Sequence, residues 1–140
     1  MLAAPGIPEM LLGGREREFL GDFAFSAMCA TPGAISKSDI DEFVRTYSRP
    51  DGRRGAIGLY QSMLKEGAEI KALAENPGLN IPVLAVGAGG GPFTVDTMSK
   101  ATRRNVGSVQ LDGVGHYAAM EAPEKLSNAL LEFFASVDAD

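Results

Sequence analysis

Apolar residues in the first half of the chain recur every three or four positions, which is typical of amphipathic helices. The predicted helices cover residues 8–29 with an interruption at Gly13-Gly14, a helix ending near Ser48-Arg49-Pro50, residues 51–64, and a short stretch up to about Glu75.

The helix that ends near Pro50 has a clear start signal. Ser36 is predicted to cap it, and Asp39 stands three positions later, which is the spacing of a capping box. Behind these residues the apolar positions follow the series i, i+3, i+4, i+7 and form one stripe: Ile40, Phe43, Val44 and Tyr47.

After a break at residues 76–78 the pattern changes to short, continuous apolar runs rich in β-branched residues. Such runs are typical of strands that are buried in a parallel sheet. The predicted elements are a strand over 81–87, a Gly/Pro loop over 87–92, a helix over 94–103, a strand over 105–111, and a last helix with an apolar stripe at Leu126, Ala129, Leu130, Phe133 and Phe134.

The order of strand, helix, strand and helix predicts an α/β fold containing one βαβ unit. Two strands form a sheet with two open edges, whereas parallel sheets normally contain several strands and bury both faces. We therefore expect residues 77–140 to need neighbouring strands, from a second chain in a homo-oligomer or from a missing N-terminal half.

Composition narrows the possible partners. The chain has 140 residues, 45% of them hydrophobic, and a net charge of −5 without a basic run, so a nucleic-acid partner is not expected. Cys29 is the single cysteine, predicted to be a small buried side chain, and it cannot form an internal disulfide. No apolar run approaches the ~20 residues of a membrane span, and no signal peptide stands at the N-terminus, so a cytoplasmic location is expected.

The candidate chemistry lies after the second predicted strand, where Asp112-Gly113-Val114-Gly115 leads into His116, the only histidine. Histidine is the most frequent general base near neutral pH, although a lone histidine is also compatible with a structural role. A metal site is not expected, because one histidine without clustered acids or thiols gives no ligand set. The run Gly87–Gly91 lacks the spacing of a nucleotide-binding loop.

Several segments, in order along the chain, resemble the α/β hydrolases of the epoxide hydrolase branch, with its relatives the haloacetate and haloalkane dehalogenases. They are Pro8–Glu16, Tyr47–Gly52, Gly55–Gln61, Ile81–Gly87, Gly113–Tyr117 and Glu121–Glu124. The resemblance implies a partial α/β-hydrolase fold: residues 1–75 correspond to the end of a helical cap, and residues 76–140 to the last two parallel core strands and the closing helix.

The resemblance also implies a two-step hydrolysis of an epoxide or a carbon–halogen bond in a small apolar substrate, without a cofactor. An aspartate attacks carbon, and water activated by His116 then cleaves the ester. Tyr60 stands where a cap tyrosine donates a hydrogen bond to the epoxide oxygen, although its helical spacing is equally compatible with a core residue.

Two members of that machinery have no counterpart in the sequence. No Gly-x-Asp-x-Gly or Gly-x-Ser-x-Gly elbow occurs, and no acid directly follows the first strand, where Asp96 is the nearest candidate. We place both the nucleophile and the acid that orients the histidine in the missing half, so the chain alone should be inactive. The alternative is a non-catalytic, truncated relative that serves as a binding or oligomeric module.

Overall fold

The computed structural model describes residues 3–75 and 78–138. The predicted break at Asn76-Pro77, and with it the boundary at residue 76, lies outside the described residues. The chain divides into two compact units. The helical unit comprises the residues up to Ala27 together with Ile35–Glu69, and the sheet unit comprises Met28–Ala34 together with the residues from Ile70 onward.

The helical unit contains helix α1 (Ile7–Leu12), a π-helix (Glu18–Phe25), the beginning of the short α2 (Ser26–Met28), helix α3 (Lys37–Tyr47) and most of α4 (Arg54–Glu75). Pro8, Leu20, Ala24, Phe25, Ile35 and Ile57 form its buried apolar core.

A π-helix replaces the regular helix that the spacing of residues 8–29 predicts around Phe19 and Phe23. Gly21 lies in this π-helix, and a Cβ atom there would come within 3.2 Å of the Ile40 side chain. The ring of Phe25 lies 5.1 Å from that of Phe43. The wider turn is therefore packed closely against α3, a tertiary contact that helical periodicity alone does not report.

The capping box at the start of α3 is confirmed. The Ser36 hydroxyl accepts a hydrogen bond from the Asp39 amide at 3.2 Å, and the Asp39 carboxylate accepts one from the Ser36 amide at 3.1 Å. This exchange satisfies two amide groups that a helix start would otherwise leave without partners.

The prediction of two separate helices between residues 51 and 75 is wrong, since α4 runs without a break from Arg54 to Glu75. Gly67 lies in its middle, and a single glycine costs a helix only about 1 kcal/mol relative to alanine. The N-terminal end of α4 is anchored by Arg53, which pairs with the buried carboxylate of Glu16 and donates to the Tyr47 carbonyl at 3.2 Å.

The sheet unit confirms the predicted parallel βαβ arrangement. Strand β1 (Val83–Gly87) pairs in parallel with β2 (Val106–Gln110), from Val83 opposite Val106 to Gly87 opposite Gln110, and α5 (Phe93–Ser99) connects them. Helices α6 (Ala118–Glu121) and α7 (Pro123–Asp138) follow.

Helix α5 ends earlier than the predicted residue 103, because the backbone beyond it pairs with Leu79 instead. Leu79 donates to the Ala101 carbonyl at 2.8 Å and accepts from the Arg103 amide at 2.9 Å. Strand β1 begins after Pro82, which has no amide hydrogen to contribute to a sheet.

Apolar surface remains exposed on the sheet unit. In the part of the chain that the structure describes, the sheet consists of β1 and β2 only. Ala129 of α7 is buried, but Phe134 of the same predicted stripe is 55% exposed and Phe93 of α5 is 70% exposed. Residues 1–75 were predicted to correspond to the cap of a larger α/β-hydrolase fold, and residues 76–140 to its core. This assignment stays a prediction.

Candidate active site

His116 lies on the loop between β2 and α6, residues 111–117, which is called the histidine loop below. The sequence predicted the histidine at this place, after the second strand. The residues before it, Val114 and Gly115, are buried, whereas His116 itself is exposed. Gly113 has a φ of 73°, a conformation that favours glycine, and it turns the chain after the strand. The residues that directly precede His116 are therefore buried in the sheet unit, whereas the histidine lies at its surface.

The carboxylate of Glu121, at the end of α6, accepts hydrogen bonds from the amides on both sides of the histidine. The Gly115 amide donates to Oε2 at 3.1 Å, and the Tyr117 amide donates to Oε1 at 3.1 Å. The amide of Ala30 donates to Oε2 at 2.7 Å, and the amide of Thr31 donates as well. Glu121 thus joins the histidine loop to the distant segment Met28–Ala34.

These contacts also set the protonation of Glu121. Partial burial raises the pKa of this carboxyl group, but the hydrogen bonds donated by the amides of Ala30, Gly115, Tyr117 and Thr31 together outweigh it, so the net pKa is lowered from its ordinary value. Glu121 is therefore ionised at neutral pH and acts as a hydrogen-bond acceptor only.

The segment Met28–Ala34 contacts the histidine directly through its backbone. The His116 amide donates to the Met28 carbonyl at 2.8 Å, and the Tyr117 hydroxyl donates to the Met28 sulfur at 3.6 Å. Cys29 in this segment is half-buried rather than fully buried as predicted. Burial, followed by the negative charge of Glu121, raises the pKa of the Cys29 thiol, so this cysteine is not an activated nucleophile.

The glycine-rich loop after β1 lies against the other side of the histidine loop. The Gly89 amide donates to the Gly115 carbonyl at 3.2 Å, and the Gly91 amide donates to the Ala88 carbonyl at 3.0 Å. Because these two amides are used inside the protein, they do not form an open cradle for a phosphate group.

The imidazole itself contacts an aromatic ring. The rings of His116 and Tyr117 are 5.2 Å apart and nearly perpendicular. Within residues 3–75 and 78–138, no carboxylate forms a hydrogen bond to the imidazole, and Asp96 lies in the first turn of α5. The acid that would orient a catalytic histidine is thus not among the described side chains that contact it.

Tyr60 belongs to the helical unit, on α4. It is 45% exposed, and its apolar neighbours Leu59, Met63 and Leu64 are exposed as well, whereas Ile57 is the buried residue of this helix. Tyr60 is therefore not part of the buried core of the helical unit, and its hydroxyl has no hydrogen-bond partner among the described residues. Tyr60 thus belongs to the helical unit and His116 to the sheet unit.

The described residues of each unit line a cavity. One of about 400 Å³ lies in the sheet unit at the carboxyl ends of the strands, lined among others by Gly87, Gln110 and Asp112. The other, of about 450 Å³, lies in the helical unit beside the start of α4, lined among others by Glu9, Arg53 and Gln61.

The sequence missed Glu121 as a site residue. In the sequence, Glu121 belonged only to the segment Glu121–Glu124 that resembles the epoxide hydrolases. The Ala30 amide that it binds lies 91 positions earlier in the chain. No spacing rule connects residues so far apart.

The described part of the chain has no group of three or more His, Cys, Asp or Glu side chains suited to a metal ion. None of the described helices is long and apolar enough to span a membrane.

Comparisons with known proteins agree with this geometry. No family model matches the chain. A soluble epoxide hydrolase from Corynebacterium sp. (strain C12) is 33% identical over 107 residues, which cover 75% of this chain and 36% of that enzyme. Cfl2 from Burkholderia cenocepacia is 30% identical with a TM-score of 0.86, over 95% of this chain and 45% of that protein. The ligand-free epoxide hydrolase CorEH is 29% identical with a TM-score of 0.72, over 87% of this chain and 42% of that enzyme.

The parallel βαβ unit, the histidine loop and these likenesses define part of an α/β-hydrolase fold. Within that class the chain is epoxide-hydrolase-like, as both the sequence match and the fold match indicate. It spans less than half the length of each of these three relatives.

Proposed function

We propose that this chain is the C-terminal portion of a hydrolase that opens an epoxide or cleaves a carbon–halogen bond in a small apolar substrate, with His116 as its general base. The observation that carries the proposal is the anchoring of His116: the amides of Gly115 and Tyr117 bind Glu121, while the imidazole is exposed. The imidazole is thus accessible on a loop whose backbone is held in place, which is what a general base requires.

In the proposed reaction an aspartate, from a part of the protein outside this chain, attacks a substrate carbon. A carbon–oxygen ester bond forms, and the carbon–halogen bond or the ring carbon–oxygen bond breaks. His116 then removes a proton from water, hydroxide attacks the ester carbonyl, and the acyl–oxygen bond breaks as the leaving oxygen takes up a proton from the new carboxyl group. The imidazolium gives its proton to the oxygen of the opened ring in the epoxide reaction, and to water when a halide has left. The aspartate is regenerated and the alcohol or diol is released. Two easier steps replace one difficult displacement.

Tyr60 is the proposed donor to the epoxide oxygen. Ring opening places negative charge on that oxygen, and a phenol hydroxyl can donate a hydrogen bond or a proton to it. The exposed hydroxyl of Tyr60, without a partner among the described residues, is available for this role.

The alternative function is a non-catalytic module that associates with itself or with a ligand. The observation in its favour is the apolar surface of the sheet unit, where Phe93 and Leu131 are 70% and 66% exposed beside a two-stranded sheet. Open sheet edges and exposed apolar patches are typical of surfaces that bind another chain. The same surface would be covered in the hydrolase by the remainder of the core.

Isolation of the protein from its source distinguishes the two functions. With an affinity tag after Asp140, native mass spectrometry reports whether this chain is joined to, or associated with, a polypeptide that carries an aspartate elbow. Turnover of an epoxide panel and a haloalkane panel is measured on the same sample. A single turnover in ¹⁸O-labelled water should place the label in the enzyme carboxylate and not in the product.

A species of 14.7 kDa plus the mass of the tag, or its simple multiples, without turnover would contradict the hydrolase proposal and favour the oligomeric module. Label that appears in the product of the first turnover would contradict the aspartyl ester, because water would then have attacked the substrate directly.

The replacement Tyr60→Phe is expected to lower kcat/KM for an epoxide about tenfold to a hundredfold, since one donor to the developing oxyanion is lost. Turnover of a haloalkane should change little, because halide leaves without a proton. Tyr47→Phe on α3 is the matched control and should leave both reactions unchanged. Equal losses for both substrates in Tyr60→Phe would show that Tyr60 acts through packing.

A further inference from the structure

Three consecutive backbone amides are fixed at the histidine. Those of Gly115 and Tyr117 donate to the two oxygens of Glu121, and that of His116 donates to the Met28 carbonyl at 2.8 Å. The main chain at position 116 is therefore held on both sides and at the residue itself. Only the two side-chain torsions of His116 remain to set the position of the imidazole.

Glu121 is itself held from the opposite side. Its Oε2 atom accepts the Ala30 amide at 2.7 Å, and the Thr31 amide donates to the carboxylate as well. Gly115 has no side chain between these groups, and a Cβ atom there would lie 2.5 Å from the Ala30 amide nitrogen and 2.8 Å from Glu121 Oε1. The carboxylate thus occupies a closed position between two chain segments.

We propose that Glu121 is the positioning residue of His116, fixing the histidine backbone so that the imidazole meets the water that cleaves the ester. This inference rests on the base role proposed for His116. Both oxygens of Glu121 accept backbone amides, so its proposed effect on the imidazole acts through the loop. A displacement of about 1 Å at a catalytic group can cost about a hundredfold in rate, which is the effect that such an anchor prevents.

Glutamine is the informative replacement, because it keeps the shape of the side chain. Its amide nitrogen is a donor, so in either orientation at least one of the amides of Gly115, Tyr117 and Ala30 faces another donor. The Glu121→Gln variant should therefore release part of the loop. The matched control is Glu124→Gln, which changes the same charge at an exposed residue of α7.

The first measurement is backbone ¹⁵N relaxation in the ¹⁵N-labelled protein, in the form in which native mass spectrometry finds it. In the wild type and in Glu124→Gln the order parameters of Gly115 and Tyr117 should be near 0.85, typical of rigid backbone, and in Glu121→Gln they should fall below about 0.6. Glu121→Asp keeps both acceptor oxygens on a shorter side chain and should give intermediate values. This variant also serves if Glu121→Gln does not fold.

The second measurement uses the hydrolase isolated from its source and follows the covalent ester by intact mass. Glu121→Gln should form the ester at the wild-type rate within about twofold, but hydrolyse it about 30- to 100-fold more slowly, so that the ester accumulates. Glu121→Gln should lower kcat in the same proportion. If Glu121 had only a structural role, the variant would contain less folded protein, and the rates of ester formation and ester hydrolysis would fall by the same factor.

Unchanged order parameters in both Glu121 variants, or equal losses in ester formation and ester hydrolysis, would overturn the positioning role. A wild-type enzyme that never forms an ester overturns the proposed function instead. In that case the relaxation measurement still decides whether Glu121 fixes the histidine loop.

Discussion

Replacement of His116 by alanine is expected to slow ester hydrolysis in the proposed hydrolase by about a hundredfold to ten-thousandfold, the usual contribution of a general base. Only the second step requires the base, so ester formation should continue and the ester should persist. Its accumulation, measured by intact mass after mixing with an epoxide, would identify His116 as the group that activates water.

The structure makes this variant informative, because the anchoring contacts of position 116 are made by the backbone. The hydrogen bond to the Met28 carbonyl and those of the neighbouring amides to Glu121 do not involve the imidazole. His116→Ala should therefore keep the loop and the fold. Glu124→Gln, at an exposed position of α7, is the control and should leave both steps unchanged. Wild-type rates in His116→Ala would assign the histidine a structural role.

The replacement Gly115→Ala is expected to destabilise the sheet unit by about 3 kcal/mol, at the upper end of the usual cost of overpacking. The added methyl group would overlap the Met28 carbonyl oxygen and lie 2.5 Å from the Ala30 amide nitrogen. Both are backbone atoms, and they cannot rotate away as the end of a flexible side chain can. The methyl group would also meet Glu121 Oε1 at 2.8 Å, so the anchor of the histidine would open.

Urea unfolding, followed by circular dichroism, measures this loss as a lower midpoint. The control is Gly90→Ala in the neighbouring loop, where a Cβ atom meets nothing within 4 Å and the free energy of unfolding should change by less than about 0.5 kcal/mol. If Gly115→Ala were as stable as Gly90→Ala, the close approach of Met28–Ala34 to the histidine loop would not exist in solution.

The two functions under consideration use the same exposed surfaces differently. In the hydrolase, the apolar side chains of α4 near Tyr60 would face a substrate and those of the sheet unit would be covered by further core. In the oligomeric module, the same residues would contact another copy of the chain. The behaviour of His116→Ala separates the two, because a module without turnover has no ester to accumulate.

Elements whose signals are local were predicted well. The capping box of Ser36 and Asp39 formed as expected, since donor and acceptor lie three residues apart on one turn of helix. The parallel pairing of β1 and β2 followed from two β-branched runs joined by a helix, because such a crossover allows little else. The position of His116 after β2 followed from the same order of elements.

Other features depended on residues distant in the chain. Helical spacing around Phe19 and Phe23 could not distinguish a regular helix from the π-helix, whose packing is set by Ile40. The ion pair between the buried Glu16 and the half-buried Arg53 joins positions 37 residues apart, and each residue alone looks like an ordinary surface charge.

The sequence by itself determined the α/β class of the fold, the parallel βαβ order of the sheet unit and the candidate histidine after its second strand, because strand composition and helical periodicity are encoded in neighbouring positions. Only the tertiary structure brought Met28–Ala34 to the histidine loop and placed Glu121 between them. That arrangement depends on hydrogen bonds from backbone amides, which every residue except proline possesses. The pattern of side chains therefore does not predict which amides a distant carboxylate will bind.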